Sequence, residues 1–496
     1  MDMRVDPLVT DPALRMKLAR LASGGAPRVV DLFSGCGGIS LGFHRAGFSI
    51  SGSVELDPWA AKSHALNFHG DDPGQVALHG RSRDMTTLEP DDFCKELDLG
   101  SPGEAVDILV GGPPCQAYAR IGRAKLRDIA NDPEAYKIDP RRDLYLRYIA
   151  WVDRLRPLAL LIENVPDMLN QGGHNVAAEI ADLLEGHGYV ARYGLVNTAF
   201  YGVPQMRDRV FLIAYRKELA LIPELPRPTR HLDLPQGYKG ARSVALKYVD
   251  LLNAGSYMSP TTDASLQGAV TAEEALGDLP LLNGDDVTRG IRRRGPETWM
   301  AYRADVEPSQ YALEMRRWQG FEAQGINDHF IRYLPRDGYI FEMMREGAEY
   351  PEAHRLAENA FKDKAKALRL RKNSQRWKEL HAAMVPPYRT DTFPNRWWKL
   401  IRDEPSRTLM AHLGKDSYSH IHYDGSQRRT ISVREAARLQ SFPDGFRFAG
   451  TMNPSLRQIG NAVPPLMAWE IAKVMRSALE SAVKRLKLER RLSVYG

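Results

Sequence analysis

The sequence predicts an α/β protein: a doubly wound sheet domain with its site along the carboxyl edge of the strands, and a smaller, irregular second domain. Three observations predict it. Short apolar runs ending in glycine turns or carboxylates alternate with helical patterns, as they do in open α/β sheets. From about Arg216 the periodicity weakens and prolines cluster at positions 223, 226, 228 and 235. Near Pro405 the apolar, helical pattern resumes. The expected layout is an arm over 1–27, a sheet domain over 28–215, a second domain over 216–404 and a return to the first over 405–496.

Composition narrows the class. With 43% hydrophobic and 26% charged residues over 496 positions, the chain has the make-up of a globular protein with a large core. It has no apolar run of bilayer length, and residues 1–28 lack the apolar segment of a secretion signal. Three cysteines (Cys36, Cys94 and Cys115) without a Cys-x-x-Cys pair give neither a disulfide framework nor a zinc site. The expectation is a reduced cytoplasmic protein without membrane or metal. Net charge is +6, a mild bias towards polyanions. Between Phe361 and Met410, 13 Lys/Arg face 5 Asp/Glu, and five of the eight tryptophans lie between Trp299 and Trp398. Basic residues interleaved with aromatics suit phosphate contact and stacking. The run from Lys362 to Lys378, taken alone, reads as a solvated helix face.

In order, Arg28–Phe33 reads as a buried strand running into Ser34-Gly35-Cys36-Gly37-Gly38 and a helix from Ile39 to Ala46. Such a turn lets a ligand approach the backbone and free N–H groups. The dinucleotide fingerprint is missing, so no pyrophosphate is implied. A second strand, Phe48–Val54, ends in Glu55-Leu56-Asp57, about twenty positions after the turn, where an acid can accept both hydrogen bonds of a ribose diol. A third segment carries Asp84-Met85, a carboxylate suited to an adenine amino group. The next apolar strand, Val106–Val110, is cut short by Gly111-Gly112-Pro113-Pro114-Cys115-Gln116. Two prolines stiffen the approach to the cysteine, which is either a buried small hydrophobe or a nucleophile. Ala117–Arg142 is polar, basic and rich in turn formers. A helix over Leu144–Leu155 and a strand over Leu158–Ile162 lead to Glu163-Asn164-Val165. A helix (175–186) and a strand (189–197) follow. Gln205-Met206-Arg207-Asp208-Arg209 then enters strand Val210–Tyr215. Beyond it come a helix over 351–381, a helix over Arg434–Gln440, Gly460-Asn461-Ala462-Val463-Pro464 and a final amphipathic helix.

Asp-Leu-Phe-Ser-Gly-Cys-Gly-Gly from Asp31, Pro-Pro-Cys-Gln from Pro113, Glu163-Asn164-Val165, Gln205-x-Arg207-x-Arg209 and Gly-Asn-Ala-Val-Pro from Gly460, in this order, resemble the bacterial DNA (cytosine-5-)-methyltransferases. The resemblance covers about 28–215 and 405–480. It implies an S-adenosylmethionine-binding sheet domain and a target-recognition domain over 216–404. It implies Cys115 as the nucleophile that adds to carbon 6 of cytosine, making carbon 5 able to take the methyl group. Glu163 would hold ring nitrogen 3 and the exocyclic amine, and Arg209, with Arg207 and Gln205, would stabilise the reacting groups. Phe33, Gly35, Gly37, Glu55, Leu56, Asp84, Pro113, Asn461, Ala462 and Val463 would bind the cofactor, with S-adenosylhomocysteine as product and no metal. The partner would be double-stranded DNA, its cytosine flipped out under the Ala117–Arg142 loop. The resemblance suits a monomer in the cytoplasm at the nucleoid, beside a restriction nuclease or phage-defence components. Methylation of transfer RNA by the same chemistry and a non-catalytic DNA-binding regulator are the alternatives.

Overall fold

The computed structural model describes residues 11–114, 144–249, 255–284 and 298–495. The chain packs as two compact units. The first comprises the chain up to Gly202, Met206–Gly268 and Ala462 onward; the second comprises Val203–Gln205 and Ala269–Asn461.

The first unit is built on a six-stranded sheet of β1 (Arg28–Leu32), β2 (Ser49–Val54), β3 (Ile108–Gly111), β4 (Ala159–Asn164), β5 (Tyr189–Asn197) and β6 (Asp208–Arg216). Their order is β2-β1-β3-β4-β6-β5. Neighbours from β2 to β4 pair in parallel, whereas β6 runs antiparallel to both β4 and β5. Parallel strands covered on both faces must be apolar on both. Accordingly β3 is Ile-Leu-Val-Gly, buried throughout, and β4 begins Ala-Leu-Leu-Ile. Gly111 closes β3 because a Cβ there would lie 2.4 Å from the Leu32 carbonyl oxygen of β1.

Helix α1 (Pro12–Ala22) replaces the expected arm: Asp11 caps it, and Lys17 is buried with Nζ donating to the carbonyls of Leu155 and Arg156 at 2.9 and 2.8 Å. Helix α2 (Gly38–Arg45) follows the glycine turn, and Asp57 caps α3 (Pro58–Phe68) by accepting from Trp59 N and Ala60 N. Helix α4 (Leu144–Leu155) buries Tyr145, Tyr148, Ile149, Val152 and Leu155, the i, i+3, i+4 stripe of a core-facing helix. Helices α5 (Val176–Gly186) and α6 (Gln236–Ala245) complete the unit with the C-terminal helix, Pro465–Tyr495. That last helix lies against α2, where a Cβ on Gly42 would stand 2.4 Å from Trp469 N. Asp84 lies in a turn and not at a strand end. Its Oδ1 accepts from Thr86 N and Oγ1 at 2.8 and 2.7 Å, a side-chain turn that competes with extended pairing.

The second unit is assembled from short helices and irregular chain. The helix expected over 351–381 is two, α7 (Tyr350–Ala367) and α8 (Gln375–Met384). Between them Arg369 (φ 50°) and Asn373 (φ 65°) turn left-handed and Ser374 caps α8. Helix α9 (Val433–Leu439) buries Arg438 between Asp278 and Asp444, at 3.0 and 2.6 Å, and pairs Glu435 with Arg429 at 2.7 Å. These bonds hold residues 405–461 in the second unit by packing, so the chain re-enters the first at Ala462 and not at 405. Among the described residues no helix is long and apolar enough to cross a membrane.

The tightest closure in the first unit is between Gly38 and the returning chain, since a Cβ on Gly38 would lie 2.2 Å from the Val463 carbonyl oxygen. Gly38→Ala should lower stability by about 1–3 kcal/mol, read as a lower urea midpoint. Gly186→Ala, whose Cβ would meet nothing within 4 Å, should leave the midpoint unchanged or raise it slightly. Equal midpoints for the two variants would contradict this account of the closure.

Candidate active site

At the carboxyl end of β1 the backbone turns left-handed at Phe33 (φ 60°), Gly35 (φ 54°) and Gly37 (φ 102°). A bulky residue such as Phe33 enters that region only under constraint. The constraint is visible: the N–H groups of Phe33 and Ser34 both donate to the Val54 carbonyl, at 2.8 and 3.3 Å, pinning the turn to the end of β2. A Cβ on Gly35 would meet nothing within 4 Å, so space lies open above it. Gly37 has no such room, because a Cβ there would reach the Phe68 ring at 2.7 Å. Cys36 is buried, and burial pushes its thiol pKa up, which suits a filler. Asp31 is also buried and pushed up to about 7 by desolvation, with Ser40 Oγ donating to it at 2.6 Å. It lies inside the sheet, as structure.

Glu55 ties the turn to β2. Its Oε2 accepts from Gly35 N at 2.8 Å and its Oε1 from Asp57 N at 2.7 Å. Burial raises its pKa, and the two amides pull it down. Each carboxylate oxygen has a second lone pair for another donor. The Asp84 segment is stitched alongside. Arg83 N donates to the Glu55 carbonyl at 2.8 Å and Ser82 Oγ to the Leu56 carbonyl at 2.5 Å. Glu55, Leu56 and Asp84 therefore share one edge, and Leu56 is 62% exposed. Arg147 of α4, unmarked by any motif, fixes that edge from below: it is buried and donates to the Met85 carbonyl at 3.1 Å and to Glu89 at 2.9 Å.

The second half of the site lies at the ends of β3, β4 and β6. Gly112 follows β3, and a Cβ there would come to 3.0 Å from Glu163 Oε2. Asn164 Nδ2 donates to the carbonyl of buried Pro113 at 2.8 Å. Two neighbouring residues of β4 thus grip the start of the Pro-Pro loop. Cys115 and the expected loop over Ala117–Arg142 lie outside the described residues. Glu163 pairs with Arg209, Nε to Oε1 at 2.9 Å, both side chains 13% exposed. Arg207, fully buried, donates from Nη2 to the Ala462 carbonyl at 3.2 Å, which ties it to the returning chain. Burial presses down on the pKa of both arginines; the Glu163 carboxylate offsets this at Arg209, whereas the Arg209 charge adds to it at Arg207. Both remain guanidinium cations.

Ala462 and Val463 are brought to this edge, one accepting from Arg207 and the other set against Gly38. Asn461 and Gln205 belong to the second unit. Asn461 closes the helix Met452–Asn461 there. The Gln205 amide is buried, accepting from Leu409 N at 2.8 Å and donating to the Leu439 carbonyl at 3.3 Å and to Gln440. In those bonds it fixes local structure.

Sequence reasoning missed α6. Placed with the second domain because prolines precede it, this helix packs in the first unit. Tyr238 OH donates to the Met206 carbonyl at 3.1 Å, and Arg242 donates to Asp208 Oδ1 and, at 3.4 Å, to the Leu195 carbonyl. Asn197 Nδ2 holds the same Asp208 oxygen at 3.0 Å. Tyr238 and Arg242 are four apart, hence on one helix face, and they clamp the residues just before Arg209. That spacing was the available signal.

The sequence and the fold are similar to those of known proteins. Residues 27–477 match the family described as C-5 cytosine-specific DNA methylase. The chain is 36% identical to a protein of Oceanobacillus iheyensis named as a type II methyltransferase, M.OihORF3336P, over 92% of this chain and 96% of that one. It is 30% identical to the type II methyltransferase M.AgeI of Thalassovita gelatinovora, over 91% and 100% of the two chains. A solved structure described as a prophage-encoded DNA modification methyltransferase of E. coli shares the fold, with a TM-score of 0.55 at 23% identity over 92% of this chain and 100% of that one.

The α6 clamp makes a prediction independent of any activity. Arg242→Met should raise amide hydrogen exchange at Met206–Arg209 by about tenfold or more, the loss of roughly one charge-assisted hydrogen bond. Arg242→Lys should fall between the two. Unchanged protection in the Met variant would show that the clamp does not hold this segment.

Proposed function

The chain belongs to the C-5 cytosine-specific DNA methylase family, whose members transfer a methyl group to carbon 5 of cytosine in DNA, and from that premise we propose how its residues divide the work. Cys115 is the nucleophile. Glu163 binds the Watson–Crick edge of the cytosine, and Arg209 neutralises charge beside it. The observation that carries this reading is the grip of β4 on the loop: Gly112 against Glu163, and the Pro113 carbonyl on Asn164. Only Pro114 separates that anchored proline from Cys115 in the sequence, so the base-binding carboxylate and the nucleophile's loop share one support.

The family implies S-adenosylmethionine as methyl donor, and the residues at the β1–β2 edge suit it. Gly35 leaves open space, Glu55 retains acceptor capacity for a ribose diol, Asp84 can accept from an adenine amine, and Leu56 offers an exposed apolar surface for the ring. Phe33, Gly37, Pro113, Ala462 and Val463 shape the same edge, and Asn461 is assigned to it from the sequence pattern. When bound, the cofactor supplies a methyl group on a sulfonium.

The protein's part is covalent catalysis. The Cys115 thiolate adds to carbon 6, which breaks the aromaticity and makes carbon 5 enamine-like. Glu163 accepts from the exocyclic amine and shares the proton at ring nitrogen 3, so negative charge does not build up on the ring. Arg209, already paired with Glu163, holds that carboxylate in place and offers donors to the carbonyl of the base. Arg207 supports the returning chain at Ala462, and Gln205 supports the second unit. After methyl transfer, loss of the carbon-5 proton and expulsion of the thiolate restore the ring. Extruding the base costs a few kcal/mol of stacking and pairing. Residues 216–404 read the duplex from the major groove, a role carried chiefly by 269–404, since 216–268 pack with the catalytic unit. The relatives' names as type II methyltransferases support a place beside a restriction nuclease.

Cys115→Ser should reduce methyl incorporation into plasmid DNA by more than about a hundredfold while DNA binding persists. Turnover close to wild type would refute Cys115 as nucleophile. Glu163→Gln should lower kcat by about 10²–10³ with little change in calorimetric affinity for S-adenosylmethionine. A loss confined to cofactor affinity would move Glu163 out of the base pocket.

A further inference from the structure

The catalytic reading leaves one strongly charged feature unused, the tip of the α7–α8 hairpin. From Lys362 to Lys378 the chain carries eight cations (Lys362, Lys364, Lys366, Arg369, Arg371, Lys372, Arg376 and Lys378) and one acid, Asp363, in a protein whose whole net charge is +6. All eight cations are exposed. None has an acid partner among the described residues, whereas the hairpin's other acids are engaged. Glu352 binds Arg345 at 2.8 Å, Glu358 binds His381 at 2.8 Å, and Glu379 accepts from Gln375 at 2.8 Å.

The scaffold under these charges is firm. Phe361 of α7 meets Trp377 edge-on at 4.9 Å and His381 at 4.8 Å, and Trp377 stacks on His381 at 5.6 Å. Ser374 caps α8. A mere solvated face would alternate its charges to limit self-repulsion. This one concentrates a single sign on an ordered turn, where each cation costs stability unless an anion is supplied from outside.

We propose that the tip of the α7–α8 hairpin is a docking surface for the phosphate backbone of duplex DNA, independent of base sequence. Two features favour a duplex backbone over bases or single strands. Five of the eight cations are lysines, point charges suited to phosphate and poorer than arginine at bidentate base reading. The aromatic rings of the hairpin are spent in its own core, so no stacking platform is offered to an unpaired base. The inference rests on the DNA reading above and adds a second point of attachment to the duplex.

The test replaces Lys362, Lys366, Arg369 and Lys372 together by glutamine and follows binding of a labelled duplex of arbitrary sequence, about 40 base pairs long, across a salt series. The slope of log affinity against log salt should become shallower by about 2–4, near 0.9 for each phosphate that is no longer neutralised. Affinity at near-physiological salt should fall about tenfold or more, and the matching lysine-to-arginine exchange at 362, 366 and 372 should retain it. If wild type methylates plasmid and the glutamine variant keeps the wild-type slope, the surface is wrong and the DNA reading stands. If wild type binds no duplex, both fall. Loss of single-stranded RNA binding with duplex binding intact would assign the patch to RNA and overturn the proposal.

Discussion

The ion pair between Glu163 and Arg209 depends on the direction of one strand. In β4 and β6, Glu163 stands opposite Phe211, so Arg209 is its diagonal neighbour, two residues away across an antiparallel ladder. Long side chains span that diagonal comfortably. Because β6 runs against its neighbours, its beginning lies at the carboxyl ends of β1, β3 and β4. A parallel β6 would bring its end there instead and carry Arg207 and Arg209 to the opposite edge. The reversed strand is therefore what sets a carboxylate and two cations, one buried and one nearly so, at one margin of a common open sheet.

Such a cluster is expensive unless every charge is answered. Removing one partner from a buried pair leaves the other uncompensated, at about 3–5 kcal/mol. Answers come from several parts of the chain: Glu163 for Arg209, the Ala462 carbonyl for Arg207, and Arg242 with Asn197 for Asp208. Ala462 belongs to a segment more than two hundred residues further along. The close approach of Gly38 to Val463 fixes where that segment lies. The β1–β2 edge and the ends of β3, β4 and β6 are thus joined through one returning segment, as the proposed reading requires of two ligands that must meet within bonding distance.

Much of this was legible before any coordinates. The strand–glycine-turn–helix pattern, the acid after β2 and the Gly-Gly-Pro-Pro stop all declare themselves locally, since glycine and proline allow few backbone alternatives. Other features did not, for physical reasons. The prolines between 223 and 235 look like a domain boundary, yet the helix after them packs back onto the sheet unit. The first residues looked like an arm, but buried Lys17 binds the end of α4 through backbone carbonyls, which sequence does not display. Asp84, read only as a carboxylate of a third segment, sits in a turn of its own making. The return to the sheet unit was expected from 405 and comes at 462, because buried Arg438 of α9 and Arg429 beside it find their acids in the second unit. Local patterns report backbone conformation well; partners far away in sequence they do not report.

The central claim is that one sulfur, on Cys115, bonds transiently to carbon 6 of an extruded cytosine. A duplex containing 5-fluorocytosine at the target tests it most directly, because fluorine at carbon 5 cannot leave as the proton does. Incubated with S-adenosylmethionine, the protein should form a denaturation-resistant adduct whose mass includes the DNA strand and one methyl group, and peptide mapping should place it on Cys115. An adduct on another residue, or full turnover conditions with none formed, would contradict the account.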